Sequence, residues 1–137
     1  MKLPPHLAER IEAEIANLTP ESIGHINYEG LRYQGLPVMG TIGEVWLLRS
    51  DGSFWKVDSD FGLPLTPLPE NLHTMAVVYG TERYPWLADL LPTRPAGATD
   101  CSHCHGRGRL GPAGEVGCYA CGALGWVAGG NQQAPAS

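Results

Sequence analysis

The sequence predicts an α+β protein, a small antiparallel sheet with flanking helices, followed by a compact module built around cysteines. Three observations carry this prediction. An apolar stripe at helical spacing lies near the N-terminus, two β-rich segments flank an Asp-Gly turn, and all four cysteines fall in one window near the C-terminus.

Residues 4–18 open the order of elements. Leu7, Ile11, Ile15 and Leu18 recur at helical steps on one stripe, with Glu9, Arg10, Glu12 and Glu14 off it. Pro4 and Pro5 suit a first helical turn, and Thr19-Pro20 suits a stop. Short strands and turns are expected over 25–43, where four glycines interrupt apolar residues. A hairpin follows. Val45-Trp46-Leu47-Leu48-Arg49 and Phe54-Trp55-Lys56-Val57 flank Ser50-Asp51-Gly52-Ser53, and a two-residue type I′ turn at Asp51-Gly52 is predicted. That turn would set Leu48 opposite Trp55 and Trp46 opposite Val57 on a single core face. The other face would be half-solvated. A helix from Pro69 through Leu72, Met75, Ala76 and Tyr79 is expected to end at Gly80. A second should run from Pro85 to Leu91.

These elements give a domain over 1–91, a linker over 92–99 rich in Pro and Ala, a module over 100–127, and a disordered tail over 128–137. At 137 residues, 43% hydrophobic and 17% charged, the chain suits one domain with a small appendage. The net charge of −5 weighs against a general nucleic-acid surface. No signal-peptide core and no membrane-length apolar run is present, so a cytoplasmic location without membrane contact is expected.

Cys101-Ser-His-Cys104 and Cys118-Tyr-Ala-Cys121 are two CxxC knuckles, each followed by glycines. Two residues between cysteines let a tight turn present both thiolates to one ion, with the turn's N–H groups aimed at sulfur. Gly111-Pro112-Ala113-Gly114 is the expected turn of a hairpin joining them. Cys101, Cys104, Cys118 and Cys121 are therefore predicted to hold one structural Zn2+, as a zinc-ribbon-like module, with iron as the rival ion. His103 and His105 are surplus to a complete ligand set, and Arg107 and Arg109 make a small basic spot.

Cys101-Ser-His-Cys104-His-Gly106-Arg-Gly108 resembles the CxxCxGxG knuckle of the cysteine-rich domain of DnaJ (Hsp40) chaperones. Cys118-Tyr-Ala-Cys121-Gly-Ala-Leu-Gly125 is similar to it, with Ala123 in place of the first glycine. The resemblance covers residues 101–126 and implies zinc ligation by the four cysteines. That family has four such knuckles where this chain has two, and its His-Pro-Asp signature is absent here. At the level of fold, Trp46 to Leu91 is similar to the cell-wall-regulator/toxin-immunity superfamily of small α+β domains.

The chain has no GxSxG, no P-loop, no GxGxxG after a strand and no HExxH, and Asp58 and Asp60 read as turn decoration. The expectation is a zinc-binding, non-enzymatic protein acting on an unidentified protein partner. The alternatives are a nucleic-acid-binding zinc ribbon, and DnaJ-like chaperone or thiol–disulfide activity through the CxxC motifs. Sequence leaves the oligomeric state open.

Overall fold

A computed structural model describes residues 2–18, 35–40, 44–58, 65–114 and 116–128. The expected strands and turns over 25–34 and 41–43, the stop at Thr19-Pro20, Asp60, and the tail beyond Ala128 lie outside the described residues.

The chain begins with α1 (Pro5–Ala16). Pro5 occupies the first helical position, where its missing N–H costs no hydrogen bond, and the N–H groups of Leu7 and Ala8 donate to Pro4 O. Leu7 and Ile11 are buried, as their stripe requires. After Ala16 the backbone tightens, with Leu18 N–H donating to Ile15 O. Leu18 is thereby turned toward a different cluster from Ile11.

Four strands form one antiparallel sheet in the order β1 (Leu36–Gly40), β2 (Glu44–Leu48), β3 (Phe54–Asp58) and β4 (Thr66–Pro67). Pro37 sits in the edge strand β1 beside a bulge between Pro37 and Met39. A residue with no N–H to donate belongs at such a place.

The hairpin between β2 and β3 differs from the expected two-residue turn. Gly52 N–H donates to Arg49 O at 2.9 Å, Arg49 N–H donates to Ser53 O, and Gly52 has φ +89. This is a three-residue connection, a tight turn followed by a left-handed glycine. The register moves by one, pairing Leu48 with Phe54, Leu47 with Trp55 and Val45 with Val57. A one-residue slip exchanges faces along a strand. Trp46, Leu48 and Phe54 therefore share one face, while Val45, Leu47, Trp55 and Val57 share the other.

Both faces are covered. The first packs on Met75, Ala76, Val77 and Leu87; the second on Leu18 and Leu65. The expected half-solvated face is in fact buried, which explains why β2 reads as a continuous apolar run. Trp46 is core as expected, whereas Trp55 is half-buried, its Nε1 donating to Ser53 Oγ at 2.7 Å. Burying a side chain such as Leu48 contributes about 1.5–3 kcal/mol.

The Pro69 helix starts as a 3-10 turn (Glu70–Leu72) and continues as α2 (His73–Gly80). Gly80 is its last residue but not a left-handed cap. A Cβ there would meet Leu87 Cδ1 at 2.8 Å and Val38 Cγ1 at 3.0 Å, so close packing requires the glycine. The second predicted helix is a 3-10 helix (Pro85–Leu90), with Leu87 buried under it. Two small ladders complete the fold: β5 (Thr99–Asp100) with β8 (Trp126–Val127), and β6 (Arg109–Leu110) with β7 (Val116–Gly117). Among the described residues, no helix is long and apolar enough to cross a membrane.

Candidate metal centre

The four cysteines come together as their spacing predicts. Their Sγ atoms all lie within 4.8 Å of one another, and all four side chains are buried. Across the knuckles, Cys101 and Cys118 are 3.9 Å apart and Cys104 and Cys121 are 3.7 Å apart. A disulfide needs about 2.05 Å, and the cysteines are free. Ligand bonds of about 2.3 Å to a tetrahedral ion put neighbouring sulfurs about 3.8 Å apart. The two cross-knuckle separations fit that figure, and with all four sulfurs within 4.8 Å of one another this cluster could hold a metal ion.

The local backbone explains why. Gly108 N–H donates to Cys104 Sγ at 3.1 Å and Gly125 N–H donates to Cys121 Sγ at 3.2 Å, each four residues after its sulfur. Reaching those positions takes left-handed backbone at residues 105, 106 and 108, and again at 122, 123 and 125. The correspondence is an offset of seventeen residues, and it extends further. Gly106 N–H to Cys101 O matches Ala123 N–H to Cys118 O, and Cys101 N–H to Gly125 O matches Cys118 N–H to Gly108 O. Strand β5 maps onto β7 and β6 onto β8. The module is thus a pseudo-twofold pair of interlocked halves, a repeat broader than the two cysteine pairs noted in the sequence. The sign of it was there in the matched spacing of Gly106 and Gly108 to Ala123 and Gly125.

Without an ion the thiols differ. Burial pushes Cys118 up and raises Cys121 to about 12, against the opposing pull of the Gly125 N–H on Cys121. Burial also pushes on Cys104, but the Gly108 N–H and the neighbouring thiols outweigh it and leave Cys104 below its ordinary value. An arriving ion therefore has to displace protons, and the N–H groups already aimed at sulfur help it do so.

No family model, characterised protein or solved structure matches this chain. The likeness of residues 101–126 to the DnaJ knuckle therefore rests on motif spacing, and that of Trp46 to Leu91 on the order of its elements.

The other candidate residues fall outside the ligand cluster. His103 and His105 are exposed, and neither belongs to the four-residue group. Arg107 is exposed, but Arg109 turns toward the body, with Nη2 2.6 Å from Glu82 and its guanidinium 4.9 Å from the Tyr79 ring centroid. The two arginines do not form one exposed basic spot.

What sequence reasoning missed is the docking of the second knuckle on α2. Gly117 N–H donates to the Tyr79 hydroxyl at 2.8 Å, and a Cβ at Gly117 would meet Tyr79 Oη and Met75 at 3.0–3.1 Å. Gly122 faces Thr74, and the Ala123 methyl joins the main core cluster. The small side chains at 117, 122 and 123 were the available signal.

Proposed function

We propose that the chain is a non-enzymatic, zinc-binding cytoplasmic protein that acts by contacting another protein. One zinc ion on Cys101, Cys104, Cys118 and Cys121 would hold the contact module in shape. The observation that carries this reading is the buried set of four sulfurs, all within 4.8 Å of one another. Four protein ligands leave no coordination position for water or substrate, which favours a structural role. About 30 residues bury too little surface to hold themselves together, so a metal of this kind supplies folding energy. Zinc suits a closed thiolate site without redox work, and iron is the rival that shares the same donor set. Support for a protein partner comes from Val116 and Tyr119, large side chains left exposed on the module, with Tyr119 between two of the ligands.

Elemental analysis of protein purified under reducing conditions tests the site: about one zinc per chain is expected. Visible iron–thiolate absorption would replace zinc with iron, and no metal would sink the reading. Affinity capture from the native host, comparing the full chain with one ending at Gly97, tests the contact. A partner retained equally by both would remove the module from the interaction. Reduction of insulin disulfides by the zinc-loaded protein would make it an enzyme.

A further inference from the structure

Both sulfur–sulfur hydrogen bonds of the cysteine cluster run between its two knuckles, Cys101 to Cys118 at 3.9 Å and Cys104 to Cys121 at 3.7 Å. Within the second knuckle, the Cys121 thiol meets the Cys118 carbonyl oxygen at 4.0 Å. Backbone bonds fix this facing. Cys101 N–H donates to Gly125 O at 2.9 Å and Cys118 N–H donates to Gly108 O at 3.0 Å, so each knuckle is tied to the opposite half. A disulfide needs about 2.05 Å between its sulfurs, so the Cys104–Cys121 pair has only roughly 1.7 Å left to close.

The four sulfurs differ in access. Cys121 is 7% exposed and Cys101 3%, whereas their partners across the knuckles, Cys104 and Cys118, are at 1% and 0%. Each pair therefore sets a more open sulfur in front of a deeper one. An accessible cysteine beside a second that resolves its sulfenic acid is the arrangement that ends in a disulfide.

We propose that the cluster is a modification site for peroxide, at which Cys104 joins Cys121 and Cys101 joins Cys118 across the knuckles. Oxidation enters at Cys121. Its sulfur attacks one peroxide oxygen, the O–O bond breaks, and hydroxide leaves as water, giving a sulfenic acid. Cys104 Sγ then attacks that sulfur, the S–S bond forms, and the S–O bond breaks to release a second water. Two thiolates lose two electrons, and one peroxide takes up those electrons with two protons. A second peroxide converts Cys101 and Cys118 in the same way. Thiolates ligate metal and disulfide sulfurs do not, so the cluster releases its ion with no change in the ion's oxidation state. That release rests on the metal reading above, while the pairing rests on the sulfur positions alone. Each new bond spans seventeen residues and joins the two halves, where bonds within the knuckles would leave the halves without a covalent tie.

The test treats reduced full-length protein with one and then two equivalents of hydrogen peroxide. Remaining thiols are alkylated, and the protein is digested with trypsin in denaturant. Arg107 and Arg109 lie between the knuckles, so cleavage there leaves Cys101 and Cys104 on one peptide and Cys118 and Cys121 on another. The two peptides should appear as one joined mass that reduction splits. After the first equivalent that joined mass should carry alkyl groups on Cys101 and Cys118, and after the second it should carry none. Alkylation of Cys104 and Cys121 instead would overturn entry at Cys121. Separate peptides with a disulfide inside each, Cys101 paired with Cys121, a disulfide-linked dimer on a non-reducing gel, or sulfinic acids alone would overturn the pairing. On zinc-loaded protein a chromogenic chelator should register the ion as the disulfides form, and dithiothreitol should restore zinc binding. Zinc retained by the doubly oxidised chain would overturn the release. Protein that carries no metal as purified fails the metal reading, and the same peptide masses still decide the pairing.

Discussion

The two halves of the cysteine module trace the same backbone and meet different neighbours. Each presents two cysteines, a run of left-handed residues, and a glycine N–H on sulfur, with the same set of hydrogen bonds repeated seventeen residues apart. The second half rests on α2 through Gly117, Gly122 and Ala123. Of the first half, Ser102, His103, His105 and Arg107 are exposed, an ion pair of 3.0 Å joins Asp100 to Arg94, and the Arg109 side chain reaches Glu82 and the Tyr79 ring. Asp100 and Gly117 are the equivalent positions, one with an exposed side chain, the other a glycine whose added Cβ would press on Tyr79 and Met75 at 3.0–3.1 Å. Coordination geometry accounts for what the halves share, and docking on the body accounts for what they do not.

Removing the ion should separate the halves most. Structural zinc contributes roughly 10–16 kcal/mol in small finger peptides, so a chelator should free residues 100–127 to exchange amide hydrogens. Amides of the second half should exchange more slowly than those of the first, because α2 still supports them. The core around Ile11, Leu48 and Met75 should stay protected. Equal exchange in both halves would show that docking contributes nothing. Acid should act in the same direction. Cys118 and Cys121 are pushed up, the latter to about 12, so both hold protons at neutral pH and must release them to the metal. Affinity should therefore rise with pH, by about tenfold per unit for each proton displaced, as metal competition between about pH 6 and 8 would measure.

Next in size are the two crossing points. A Cβ at Gly108 would meet Ala123 O at 2.6 Å, and one at Gly125 would meet Gly106 O at 2.7 Å, both at positive φ. Gly108→Ala and Gly125→Ala should each cost about 2–4 kcal/mol from backbone strain and overpacking. Thermal unfolding of the zinc-loaded variants should show nearly equal losses. A large inequality would break the pseudo-twofold.

The docking contrast is smaller. Gly117→Ala should cost about 1 kcal/mol as Met75 and Tyr79 shift, while Asp100→Ala loses only an exposed ion pair, less than about 0.5 kcal/mol. Chemical denaturation compares them, and equal effects would mean that the contacts at Gly117 do not hold the module. Smallest of all is Ala123→Gly, which relieves a left-handed alanine by about 1 kcal/mol and loses a buried methyl of about 0.8 kcal/mol. Its melting temperature should be unchanged, and a large fall would mark the methyl as the main anchor.

Much of the site was legible because ligand spacing is a local property. CxxC, its trailing glycines and the Gly111–Gly114 turn each lie within a few residues, and each formed as read. The helix over 4–18 was legible for the same reason. The hairpin was half legible: its strands were found, but Gly52 serves a three-residue turn, and that one residue moved Trp55 and Val57 to the other face. The docking was illegible because it depends on residues far apart in the chain. Nothing near Tyr79 in sequence announces a contact with Gly117, thirty-eight residues away.

Tyr79 also makes the chain its own instrument. Its ring meets Trp46 edge-on at 5.8 Å and 64°, and its hydroxyl accepts a hydrogen bond one residue from Cys118. Two aromatic chromophores locked at a fixed angle give a chiral signal in the near ultraviolet. Because one of them is tethered to the ligand loop, that signal should follow metal loading without any added dye. Tyr79→Phe keeps the ring pair and cuts the tether, so the same light should then pass through the protein with loading no longer written in it.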